Sequence, residues 1–326
     1  MSAPRLLAAV LAVFIFSITT QAQTWEVMFK KAEKKYAKGK YHKVQKQIKK
    51  LRTKHINKKY SGDSSLYALT YVMEAKADHA MADYSGMRTA IDQALPMLEQ
   101  YKVGHQYSYT MGLLRLVDLY NDYGNHKKAD SIASIADALS PEYLQSDILQ
   151  MEIQMRRAFT NIELGYYNKT AKTINELSST WPSKLKLSYA LEPVEKVDEA
   201  YKKQLLVQMY TAEGEIQRRK GEYEKAVAVF ENHSKQVNRL VDGTSQAYVE
   251  YRIAEARTYL DWGNTDESRK ISGRITNLNP PGRLYEKAAN IDILSCLEEE
   301  KYSDALSTSM QLESTLIKSR VDRDYA

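Results

Sequence analysis

The sequence predicts an all-α fold, an α-solenoid of about seven helical hairpins, and three observations predict it. The first is a recurring unit, clearest in Gly221-Glu-Tyr-Glu-Lys-Ala226-Val-Ala-Val-Phe230. It holds a glycine, an aromatic two residues later, a small residue five later and a bulky apolar residue nine later. The second is a residue seven positions before the glycine that is small in most copies, as two helices crossing at short range require. The third is negative: no alternating apolar run bounded by turn residues, the mark of a strand, stands outside these units.

Taken in order, the chain opens with Arg5, an apolar run from Leu6 to Ile18 and the small, polar segment Thr19-Thr20-Gln21-Ala22-Gln23. A membrane-spanning helix needs about 20 apolar residues. This run is shorter and ends in a cleavage-site pattern, so residues 1–22 read as a secretory signal peptide and 23–326 as the mature chain. An uncleaved anchor helix is the alternative. No later stretch is apolar enough to span a membrane, and no cysteine stands beside the cleavage site. The expected location is therefore periplasmic or secreted, without a lipid anchor.

Residues 24–60 form a basic first hairpin, with fourteen Lys or Arg against Glu26 and Glu33, in a chain whose formal net charge is +6. Contact with an anionic surface or glycan through Lys30 to Lys59 is one reading, and a solvated helix face is the plainer one. Tyr36, Tyr41 and Tyr60 among these lysines also suit phosphate gripping and base stacking, but export argues against nucleic acid. The loop from Lys58 to Ser65 has the residues of a turn and a helix cap.

Anchors equivalent to Gly221 fall at Gly39, Ala82, Gly124, Gly165, Gly263 and, with a polar substitute, Glu300. Most are spaced by about 42 residues. Tyr41, Tyr84, Tyr167, Tyr223 and Tyr302 carry the aromatic; Val44, Met87, Ala129, Thr170, Ala226, Ser268 and Ala305 hold the fifth position. Ile48, Ile91, Ala133, Ile174, Phe230, Ser272 and Ser309 hold the ninth. Upstream stand Ala32, Ala75, Val117, Ala158, Gly214, Ala256 and Ile293. Glycine turns the chain out of one helix, the aromatic wedges the joint, and Pro141, Pro182 and Pro280 are placed to end the second helix. The one 56-residue gap, between Gly165 and Gly221, holds an irregular insertion near residues 180–193. The single cysteine, Cys296, reads as buried on one helix face with Ile291, Ile293, Leu294 and Leu297.

This pattern resembles the tetratricopeptide repeat family, in which helix pairs carry small residues at their crossing, a Gly-x-Tyr-x-x-Ala turn and a closing proline. The resemblance covers nearly all of residues 23–326. Its best copies are Tyr210 to Phe230 and Leu113 to Pro141, and its period is longer than the family's usual repeat of about 34 residues. It implies a right-handed solenoid whose first helices line a concave groove. By register the groove residues are Lys76, His79, Asp118, Asn121, Asp122, Phe159, Glu163, Glu215, Arg218, Arg219, Arg257 and Asp261. That set is polar and of mixed charge, which suits an extended peptide or a protein segment better than a small apolar ligand.

Catalytic and metal motifs are missing from the sequence: there is no His-Glu-x-x-His, no Cys/His cluster, no Gly-rich phosphate loop and no Gly-x-Ser-x-Gly turn. Neither a cofactor nor enzymatic activity is expected. The sequence thus points to an exported, non-enzymatic scaffold or adaptor of a bacterial cell envelope that binds a protein or peptide in its groove. The alternative is an extracytoplasmic sensor module that binds a peptide or glycan and signals through a membrane partner.

Overall fold

The computed structural model describes residues 28–36, 40–57, 65–81, 83–100, 102–103, 106–139, 147–184, 199–280 and 283–321. Residues 1–22, read as a leader, residues 58–64, read as a turn, the anchors Gly39 and Ala82, Pro141, and residues 185–198 lie outside them. Fourteen helices and no strand occur among the described residues. They are α1 (28–36), α2 (Tyr41–Asn57), α3 (Ser65–Ala80), α4 (Tyr84–Gln100), α5 (Gln106–Asp122), α6 (His126–Asp137) and α7 (Asp147–Glu163). The remainder are α8 (Tyr167–Lys184), α9 (Glu199–Arg219), α10 (Tyr223–Leu240), α11 (Gln246–Asp261), α12 (Thr265–Asn277), α13 (Arg283–Glu298) and α14 (Tyr302–Val321). None of the described helices is long and apolar enough to cross a membrane.

The chain divides into two compact units, one up to Ser108 and one from Tyr109 to Val321. In the first, α2 packs on α3 and α3 on α4. In the second, consecutive helices pack as pairs, and alternate helices also touch: α7 with α9, α9 with α11 and α11 with α13. Such stacking of neighbours is what a helical-repeat-like architecture shows.

The turn chemistry is what makes each pair. Gly124, Gly165, Gly221 and Gly263 all have φ between 76° and 82°, and Glu300 takes the same left-handed region at 59°. An L-residue pays about 1–2 kcal/mol to adopt it, so glycine dominates the position. After each glycine the next helix starts within two residues. Asn125 and Asn264 then cap α6 and α12, accepting from the backbone N–H of Lys128 and Glu267.

Positions five and nine after the anchor lie on one stripe of the second helix, and they are buried in nearly every copy. Val44, Ile48, Met87, Ile91, Ala129, Ala133, Ala226 and Phe230 are all in the core. Thr170, Ser268 and Ser272 are equally closed off, and Ser272 gives its hydroxyl proton back to the Arg269 carbonyl. The small upstream residues are buried too, and Gly214 shows why smallness matters. A Cβ there would stand 2.3 Å from Phe230 Cζ, so the ring fills the space a larger residue needs. Phe230 and Tyr251 meet edge to face with centroids 5.2 Å apart.

Several details differ from the sequence pattern. Tyr84 and Tyr302 are exposed rather than wedged. Helix α8 runs to Lys184, two residues past Pro182, so the helix enters the predicted insertion, whereas α12 stops at Asn277 ahead of Pro280 as the proline rule requires. Pro96 sits inside α4. Cys296 is buried, but Leu294 and Leu297, expected on the same closed face, are exposed.

Candidate functional site

The groove residues expected from register come from the ends of the first helix of each pair. In the first unit Lys76 holds its ammonium 5.2 Å from the centre of the Tyr36 ring, and the His79 ring lies 6.1 Å from that of Tyr84. The lysines of α1 and α2, such as Lys43, Lys46 and Lys50, are exposed. Their tyrosines are not a free stacking platform: Tyr41 is buried and packs 5.2 Å from Tyr36.

In the second unit some of the expected residues meet one another across successive helices, and others meet residues outside the expected set. Asn121 of α5 donates to Thr160 Oγ1 of α7 at 2.8 Å, and Asp118 lies 3.3 Å from Arg156 Nε. Glu163 of α7 accepts two bonds of 2.7 Å from Arg219 of α9. Arg218, its side chain only 4% exposed, is held by Glu215 on its own helix and by Asp261 of α11. Phe159 packs sideways onto the core shared by α7, α8 and α9. Arg257 of α11 is exposed. Most of these residues thus take part in ion pairs and hydrogen bonds between helices, which together form a ladder.

Burial alone would lower the Arg218 pKa, but the paired carboxylates of Glu215 and Asp261 outweigh it, and the guanidinium is held charged. Arg218 is thus a structural strut. The other bridges of the ladder are half exposed, where such pairs contribute about 1 kcal/mol or less.

The structure adds residues that the register argument did not reach. Arg283, at the start of α13, bonds Asp122 Oδ1 at 2.6 Å and donates to the Asp122 carbonyl at 3.0 Å, linking α13 to α5. Glu250 of α11 lies among Asp118, Asp122 and Lys287, and accepts from Gln246 at 2.8 Å. Burial pushes its carboxyl up; Gln246 and Lys287 pull it down, and the two aspartates push it up again. Glu250 and Lys287 both stand thirteen residues before their anchors. Extending the register by two helical turns would have found them.

A second perturbed carboxylate sits in the first unit. Asp78 is buried on α3, accepts from Gln45 of α2, and faces Glu74, Asp83 and Lys49. Burial is the main reason its pKa is raised to about 6, with Glu74 and Asp83 adding to it. Gly86 leaves room for this arrangement, because a Cβ there would approach Asp78 Oδ2 to 2.9 Å and Asp83 Oδ2 to 2.5 Å.

Among the described residues no group of three or more His, Cys, Asp or Glu is placed to hold a metal. The concavity at Trp262 to Asp266, in the turn between α11 and α12, is open and mostly polar. Comparison with protein-family models and with curated proteins gave no match to this chain.

Proposed function

We propose that this chain is an exported, non-enzymatic α-solenoid that serves as a protein-interaction scaffold or adaptor in a bacterial cell envelope, holding a peptide or protein segment on the polar face of its first helices. The observation that carries the reading is the row of mixed charge running across α5, α7, α9 and α11, where Asp118, Asp122, Glu163 and Arg219 keep between 29% and 39% of their side-chain surface in solvent. Part-exposed charges of both signs suit the alternating donors and acceptors of an extended backbone. Export rests on the signal-peptide pattern of residues 1–22.

The test is a photo-cross-linking residue placed at Arg257 in the full chain in intact cells, with the captured partner identified and its binding remeasured with purified proteins. Loss of at least tenfold in affinity on Arg257→Glu, with the helical circular dichroism unchanged, supports the reading. Unchanged affinity, or capture of nothing above background, overturns it. Arg218 is a poor choice for this experiment, because its reversal strands a buried charge.

A further inference from the structure

The last pair, α13 and α14, leaves five large apolar side chains in solvent: Leu294, Leu297, Tyr302, Leu306 and Met310 are between 44% and 65% exposed. They are not scattered. Tyr302, Leu306 and Met310 are spaced by four and form one stripe of α14, while Leu294 and Leu297 are one turn apart on α13.

Both stripes point away from the preceding pair. Arg269 of α12 reaches Asp304 at 3.3 Å and Asp292 at 3.5 Å, which fixes the side of each helix that faces backward. Leu306 and Leu294 each follow one of these aspartates by two residues, a rotation of about 200°. They therefore lie on the side where, elsewhere in the unit, the next pair is stacked.

The equivalent positions in the earlier pairs are polar in some copies, as at His79, Asn121 and Arg218, and apolar in others, where the next pair covers them. Three residues before the anchor, Ile162 of α7 shares a core with Leu205 and Met209 of α9, and Leu260 of α11 packs on the core that holds Ala288 and Ile291 of α13. Six residues after it, Val227 shares a core with Val249 and Ile253. In the last pair those two positions are Leu297 and Leu306, both exposed. Among the described residues nothing covers this face, which continues the stacking interface.

It also carries what fills that interface. The Leu205 and Met209 pair on α9 and the Leu306 and Met310 pair on α14 are the same two side chains at the same spacing. A face that both accepts and supplies the same helix stripe is self-complementary, and a two-fold axis satisfies both halves at once. We propose that a second copy of this chain docks here, the α14 stripes of the two copies crossing antiparallel so that each Leu306 and Met310 packs over the partner's Leu294 and Leu297. Asn290, Ser303 and Ser307 flank the stripes without charge, Glu298 stands one turn beyond Leu294 at the edge of the α13 stripe, and Glu313, one turn beyond Met310, falls at opposite ends of the antiparallel pair.

Sedimentation velocity of the purified full chain over roughly a hundredfold range of concentration tests this directly. A concentration-dependent dimer is expected, and Leu306→Glu with Met310→Glu should raise its dissociation constant by about 100-fold or more while leaving the circular dichroism unchanged. Leu306→Ser with Met310→Ser, which adds no charge, should raise it less. Mixing Leu294→Cys and Leu306→Cys chains under oxidising conditions should give a disulfide between the two variants, since the native Cys296 is closed off. A monomer at every concentration, or a dimer indifferent to both pairs of substitutions, overturns the proposal; in the first case the face takes a different chain.

Discussion

Asp78 carries the clearest pH signature of any single residue. Its folded pKa of about 6 lies above the unfolded value of about 4, so between those values the folded chain holds more protons than the unfolded one. Stability from this group is therefore greatest below about pH 4 and falls as pH rises to 6, by about 1–3 kcal/mol. Asp78→Asn should raise the melting temperature at pH 7 and flatten the pH dependence across that window. Gly214 offers a steric test. Adding one methyl at a helical glycine normally gains about 1 kcal/mol, but Phe230 occupies the space, and Gly214→Ala should instead cost about 1–3 kcal/mol in chemical unfolding. The double variant with Phe230→Leu should lose less than the two single losses together, because the smaller side chain releases the clash.

At the scale of helices, much of the pairing was legible before the structure. The requirement for φ above zero makes Gly124, Gly165, Gly221 and Gly263 visible as turns, and helical spacing makes Ala226 and Phe230 visible as the inward stripe. The same register picked out Asp118, Glu163 and Arg219, which make ion pairs between helices. It could not tell that Arg218 would be spent on Asp261, because which charges pair depends on the offset between neighbouring helices, a quantity no spacing along one chain contains. It also put Leu294 and Leu297 in the core with Cys296, since periodicity marks an apolar stripe without saying whether another helix covers it. The ladder predicts a graded mutational response. Arg218→Ala leaves the partly buried Glu215 with the longer 3.9 Å contact to Arg219 Nε and should destabilise the second unit by about 3 kcal/mol, whereas Arg219→Ala, whose bridge to Glu163 is half exposed, should cost about 1 kcal/mol or less. Thermal melts of the two variants compare them directly.

For the whole molecule, charge is unevenly placed: the exposed lysines of α1 and α2 concentrate positive potential in a chain of sequence pI about 9.0. At physiological salt such a field reaches about 8 Å, so retention on a sulfated polysaccharide column should fall steeply as salt rises. Lys43→Glu, Lys46→Glu and Lys50→Glu together should abolish it, while leaving any binding on the α5 to α11 face unchanged. The lone thiol adds an unplanned convenience. Cys296 is shut inside the terminal pair and its pKa is raised by that burial, so an alkylating probe can react only when the pair opens. Its labelling rate is a built-in clock for that opening, read without introducing any foreign group, and docking of a second copy on α13 and α14 would slow the clock.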